Sequence, residues 1–150
     1  MAKFVYRMQN ILNIKLKLET QAKMAYSTAS QQYRKEQELL QEMVVRRMGY
    51  EKKLKETMQG NLDMQAVSHA RADVDNMKTI VRRQMLVVHK AQKVMEEARN
   101  QLNEVMQERK VQEKLREKAF EEFKQELAQT ENKEIDELVS YTFNKSEENT

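Results

Sequence analysis

The sequence lacks cysteine, proline and tryptophan, and it has only two glycines among 150 residues. Without cysteine, neither a disulfide framework nor a thiolate metal site can form. A chain of this length would ordinarily hold about ten glycines and seven or eight prolines, so we do not expect a compact fold with several tight turns. Hydrophobic residues make up 39% of the chain and charged residues 34%. This composition suits long helices packed along narrow seams better than a thick globular core.

Long hydrophobic runs are also missing. The longest unbroken run, residues 85–88, has four residues, whereas a membrane-spanning helix needs about 20. The opening residues 1–8 lack the apolar core of a signal peptide. We therefore expect a cytosolic protein.

The second half of the chain carries a regular apolar repeat between Val67 and Val105. An apolar residue every 3.5 positions makes a straight stripe along a coiled-coil helix, and that stripe requires a helical partner. We call such a row of positions a seam. Its single polar member here is Gln84. The seam positions are Val67, Ala70, Val74, Met77, Val81, Gln84, Val88, Ala91, Met95, Ala98, Leu102 and Val105.

A similar seam, advancing alternately by three and four residues, begins at Phe4 and continues to Leu54. Between Ala29 and Tyr33 it advances by four residues for a second time in succession, which we interpret as a stutter. The remaining predicted positions are Met8, Ile11, Lys15, Leu18, Ala22, Ala25, Glu36, Leu40, Met43, Arg47 and Tyr50. Gly60 and Asn61 mark the only evident turn, and Asp63 follows as a candidate N-cap. The sequence therefore predicts an all-α fold, an antiparallel coiled-coil hairpin whose second helix overhangs the first.

We expect a single domain over residues 1–141, with helix 1 at about 3–58, a turn at 59–63 and helix 2 at about 64–141. Residues 142–150 are expected to form a disordered tail. If the chain folds back at Gly60, the numbers of two residues that face each other add up to about 120. This relation places Glu36 opposite Gln84 and small residues opposite small ones. We predict that Glu36 and Gln84 fix the register. In this register Phe4 lies near Arg116, and residues after about 117 have no partner in the chain.

Charge is unevenly distributed along the chain. Residues 1–60 hold twelve Lys or Arg and six Asp or Glu, whereas residues 101–150 hold eight and thirteen. Acidic residues interleave with the basic pairs of the first helix, so we do not expect nucleic-acid binding. His69 and His89 belong to no metal-binding pattern, and the sequence offers no catalytic, cofactor or metal site. Outward-facing apolar residues instead predict docking surfaces, at Val45, Met48 and Leu86.

The two ends of the chain resemble the bacterial flagellar type III export protein family FliJ. The opening motif is Phe4-x-Tyr6-Arg7-Met8-Gln9-x-Ile11-Leu12-Asn13-Ile14-Lys15, and the late motif is Glu131-x-Lys133-Glu134-Ile135-Asp136-Glu137. The resemblance implies a non-enzymatic coiled-coil stalk, and we expect this protein to be a monomer on its own. Such a stalk inserts into the hexameric export ATPase and contacts the membrane-embedded export gate and export chaperones, at the cytoplasmic side of the cell membrane.

On this interpretation the paired ends of the chain form the ATPase-ring interface, and the outward residues Val45, Met48 and Leu86 form the gate or chaperone interface. The predicted ring residues are Phe4, Arg7, Met8, Ile11, Lys15, Phe120, Phe123, Leu127, Ile135 and Asp136. Two alternatives stay open from the sequence. One is the equivalent stalk of a virulence-type secretion system, and the other is a generic adaptor that dimerises through its overhang.

Overall fold

The computed structural model describes residues 2–148 and contains two helices. Helix α1 is Gln9–Thr57, with 49 residues, and helix α2 is Met64–Glu148, with 85 residues. The two helices pack against each other, and the second is the longer. The predicted fold class is confirmed.

The connection between the helices forms where the glycine signal predicted it. Gly60 has a φ of 79°, a left-handed conformation that glycine adopts without steric cost. The backbone N–H of Gln65 donates to Oδ1 of Asp63 at 3.0 Å, so Asp63 is the N-cap of α2. The backbone N–H of Val67 donates to the Asp63 carbonyl at 3.0 Å and closes the first turn of the helix.

The chain divides into two compact units, each built from both helices. The turn unit comprises Thr20–Glu104, and the terminal unit comprises the residues up to Glu19 together with those from Val105 onward. The single domain expected over residues 1–141 stays a prediction.

The predicted seam of α2 is confirmed. All of its twelve positions are buried or half-buried, and Val81 is the most enclosed, with 1% of its surface exposed. Within the turn unit, Nε2 of Gln84 donates to Oε2 of Glu36 at 2.6 Å and to the Glu36 backbone carbonyl at 3.0 Å. The register predicted from Glu36 and Gln84 is therefore the one observed.

The seam of α1 differs from the prediction at its beginning. Leu12, Glu19 and Ala22 are buried and Tyr26 is half-buried, whereas the predicted positions Met8, Ile11, Leu18 and Ala25 are exposed. Steps of four and three therefore run without interruption from Leu54 back to Leu12, and there is no stutter. The sequence was misleading because Glu19 is charged, and it occupies a seam position through its ion pair with Arg109.

Helix α1 begins at Gln9, not near residue 3 as expected. Residues 2–8, which we call the N-terminal segment, are not helical. A non-helical chain can advance farther per residue than the about 1.5 Å of a helix. The Phe4 ring of the segment packs on Phe120 and Phe123 of α2, so the predicted start of the unpartnered region at about residue 117 is wrong.

Helix α2 continues to Glu148, so the disordered tail expected from residue 142 is not seen over residues 142–148; residues 149 and 150 lie outside the described part of the chain. No glycine or proline follows Gly60 to stop the helix. The Thr142 and Ser146 hydroxyls donate to the carbonyls of Leu138 and Phe143, each at 2.8 Å. Every residue from 128 to 148 is exposed.

Candidate partner-binding interface

The terminal unit replaces part of its apolar seam with ion pairs. The Arg109 guanidinium donates to both carboxylate oxygens of Glu19 and, at 2.8 Å, to Glu113. The Glu19 side chain is only 7% exposed and that of Arg109 is 18% exposed. The hydrogen bond to Glu19 raises the pKa of Arg109, and the neighbouring Glu113 charge acts in the same direction. The guanidinium therefore stays charged, and Glu19 keeps a cationic partner where an unpaired carboxylate would be costly.

A second ion pair lies beside the first. Lys15 Nζ is 2.6 Å from Oε2 of Glu108, and both side chains are partly exposed. Such a pair contributes little to stability because water competes for both charges. Lys15, which was predicted to contact the ATPase ring, therefore has an ion-pair partner within the terminal unit, and its contact with the ring stays a prediction.

Two polar contacts hold the start of the chain on α2. The Tyr6 hydroxyl, on a side chain that is 9% exposed, donates to Oε1 of Gln112 at 3.3 Å. Nε of Arg116 donates to Oε1 of Gln9 at 3.0 Å. Tyr6 was not among the predicted site residues. Its position in a segment assumed to be helical placed it off the seam.

An aromatic cluster forms where the N-terminal segment meets α2. The Phe4 ring lies 5.0 Å from that of Phe120, edge to face at 65°, and 5.5 Å from that of Phe123. The Arg116 guanidinium is 5.6 Å from the Phe4 centroid, and Lys124 Nζ is 4.6 Å from the Phe120 centroid. These separations are typical of favourable aromatic and cation–π pairs. Phe120 and Phe123 therefore have an internal partner, contrary to the prediction.

A shallow groove lies between the N-terminal segment and α2. Phe4, Ala119 and Phe123 give it an apolar lining, and charged side chains of both signs line it as well. These are Lys3 and Arg7 from the segment, and Glu122 and Glu126 from α2. The groove therefore combines apolar surface with charges of both signs.

The structure brings together some of the predicted ring residues and not others. Phe4, Phe120 and Phe123 touch, and Arg7 and Met8 line the same groove. Ile11 is 39% exposed on α1 and Leu127 is half-buried on α2. Ile135 and Asp136 lie on the exposed part of α2 after residue 127.

The residues predicted to meet the gate or a chaperone all face outward. Val45 and Met48 are 65% and 62% exposed, and Leu86 is 65% exposed. Val45 lines a shallow surface on α1 with Glu42 and Arg46. Leu86 lies on the other helix and is not part of that surface. The predicted trio is therefore a pair on α1 and a separate residue on α2.

Neither helix, over residues 2–148, has a segment long and apolar enough to cross a membrane. In the same range, His, Asp and Glu side chains form no group of three or more suited to a metal ion. The features that stand out are a packed two-helix seam and exposed apolar surfaces bordered by charge.

These features define a two-helix coiled-coil protein. The model of the flagellar FliJ protein family matches residues 4–148, and the chain therefore belongs to that family. It is a structural component of the flagellar protein-export apparatus, in a family that is generally non-enzymatic. No curated protein and no solved structure matches the chain significantly.

Proposed function

We propose that this protein is the stalk of the flagellar export ATPase, and that its terminal unit contacts the hexameric ring. In this role it works as a cytoplasmic monomer held peripherally at the membrane by its partners. Its contribution is mechanical and allosteric, since it supplies no catalytic group to the ATPase.

The aromatic cluster of Phe4, Phe120 and Phe123 is the observation that carries this proposal. Phe120 keeps 36% of its surface exposed despite its contact with Phe4. Exposed aromatic rings bordered by charge are common anchors of protein interfaces. One side of this surface is positively charged, with Lys3 and Arg7, and the other is negatively charged, with Glu122 and Glu126.

A ring of six similar subunits presents the same surface six times to one asymmetric protein. The terminal unit therefore makes a different contact with each subunit. Any difference in affinity between two states of a subunit shifts that subunit towards the state it binds better. Weak contacts are sufficient for this effect, because a bias of about 1.4 kcal/mol changes a population ratio tenfold.

Val45 and Met48 support a second contact, with the export gate or a chaperone. They are one turn apart on α1 and both are more than half exposed. A coiled-coil exterior has little reason to be apolar unless another surface covers it. Leu86 provides a further exposed apolar contact on α2. Membership of a flagellar family favours the flagellar apparatus over the virulence-type alternative.

The test is hydrolysis of ATP by the purified export ATPase with and without this protein. Replacing Phe120 and Phe123 with serine should reduce the stimulation severalfold, because the anchor rings are lost. The matched control replaces Val45 and Met48 with serine, which removes a similar exposed apolar area elsewhere. That control should preserve stimulation and weaken capture of the gate or chaperone.

Circular dichroism must show that both variants keep their helices. The opposite pattern, with the Val45 and Met48 variant losing stimulation, would show that the other unit meets the ring. If neither variant changes hydrolysis while the natural protein does, the aromatic cluster is not the contact and the proposal fails.

A further inference from the structure

The seam of α2 continues past the point at which α1 begins. Gln9, the first residue of α1, contacts Arg116. Further steps of three and four along α2 lead to Ala119 and Phe123, which are both half-buried. Their cover is the N-terminal segment, and not a helix. This face of α2, residues 119–127, therefore continues a seam of the kind that packs against a helix. The segment that occupies it is not helical.

The N-terminal segment is held by few contacts. Phe4 packs on two rings, and Tyr6 is anchored at 3.3 Å to Gln112. Residues 2–5 make no backbone–backbone hydrogen bond within the described chain, and Val5 is 79% exposed. The segment can leave α2 without breaking a turn of either helix, so its release costs far less than opening the seam.

The residues of the N-terminal segment also indicate which kind of ligand this face of α2 can bind. The segment carries aromatic Phe4 and Tyr6 between basic Lys3 and Arg7. The α2 side of the same groove contributes an apolar floor and the carboxylates of Glu122 and Glu126. A ligand with an aromatic residue flanked by Lys or Arg satisfies both features.

We propose that the 119–127 face of α2 is a docking site for a basic, aromatic segment of a partner protein, and that the chain's own N-terminal segment occupies this site until the partner displaces it. The inference rests on the proposed function only in using the same surface as the ring contact. The exchange itself is a property of the isolated chain.

Tethering gives the resident segment an advantage over a free competitor. A short tether produces an effective concentration on the order of millimolar, so a free peptide must reach that range to compete. A partner already bound elsewhere on this protein is tethered too, and it meets no such barrier. Displacement of the segment is therefore favoured after the partner has formed a first contact elsewhere on this protein. The segment thus covers the site until assembly begins.

The absence of tryptophan allows a direct test with single indole reporters. Phe4→Trp places an indole in the aromatic cluster, and Val5→Trp places one on the exposed side of the same segment. We expect acrylamide to quench the reporter at position 4 severalfold less than the reporter at position 5. Adding Phe123→Ser to Phe4→Trp should remove this protection while circular dichroism stays unchanged.

The competitor is a synthetic peptide with the sequence of residues 2–8, used at about millimolar concentration. It should raise quenching at position 4 and leave position 5 unchanged, and a peptide in which serine replaces the phenylalanine should do neither. Equal quenching of the two reporters would overturn the proposal, as would release by both peptides or by neither. No ATPase is present, so this result and that of the hydrolysis assay can fail separately.

Discussion

Gln84 of α2 reaches across the seam of the turn unit and donates to both the side chain and the backbone carbonyl of Glu36, at 2.6 and 3.0 Å. Gln84 is 8% exposed. It is the one polar residue in a seam of twelve positions, and in either heptad-shifted register its amide would lose Glu36. A buried polar pair of this kind is a known means of fixing helix register.

The register can be checked by crosslinking. Ala29 and Ala91 lie one heptad from Glu36 and Gln84 in opposite chain directions, so they belong to an equivalent layer. Cysteines at these two positions should form an intramolecular disulfide under mild oxidation. Ala29 with Ala98 is the matched control, since a shift of one heptad moves a residue by about 10 Å along the helix. More efficient crosslinking of the control pair would contradict the register.

Truncating the register pair on one side should be costly. Gln84→Ala leaves Oε2 of the part-buried Glu36 carboxylate without its donor, since Gln32 donates to Oε1 instead, and we expect a loss of about 1–3 kcal/mol in the free energy of unfolding. Replacing both residues with leucine should recover most of this loss, because no unpaired polar group remains. Urea denaturation measures both effects. The double variant should also crosslink less selectively, and unchanged selectivity would show that the apolar layers alone fix the register.

The Arg109 ion pair predicts a contrast between two arginines of the terminal unit. Arg109→Ala leaves Glu19 buried and without this cation, whereas Arg116→Ala removes a guanidinium that is largely exposed. We expect the urea midpoint to fall several times further for Arg109→Ala. Adding Glu19→Leu to Arg109→Ala should restore much of the stability. Equal effects of the two single substitutions would show that water reaches Glu19 in the folded protein.

Much of the fold was predictable because apolar periodicity and turn chemistry are local signals. The α2 seam, the turn at Gly60, the cap at Asp63 and the Glu36–Gln84 pair all follow from residue spacing. The start of the α1 seam did not, because Glu19 enters the seam only when Arg109 lies opposite. A charged residue can be assigned to a seam only when its oppositely charged partner on the other helix is identified. Identifying that partner requires the register to be known first.

The candidate site was predicted in part. The sequence singled out Phe4, Phe120 and Phe123, and the Phe4 ring packs on the other two, but the sequence placed Phe4 on a helix. No proline or glycine marks the boundary at Gln9, so residues 2–8 carry no local signal against helix. Tertiary contacts hold this non-helical segment instead, with Tyr6 buried and the Phe4 ring packed on two others. Such contacts routinely override helix propensity.

The exposed end of α2 should be the least stable helical part of the isolated protein. Every residue from 128 to 148 is exposed, so this stretch buries no side chain that could stabilise it by packing. Helices without tertiary packing are marginal in water even when their sequence favours helix. Amide hydrogens after Leu127 should therefore exchange much faster than those of Val74 and Val81, which are 4% and 1% exposed.

Hydrogen exchange followed by mass spectrometry on the full chain measures this difference directly. Residues 119–127 should show intermediate protection, because the N-terminal segment covers them. Phe4→Ser should speed exchange there and leave the seam around Val81 unchanged. If residues 128–148 are as protected as the seam in a protein shown to be monomeric, a packed partner for this helix exists within the chain. Protection that rises with protein concentration would instead show that two copies pair through it.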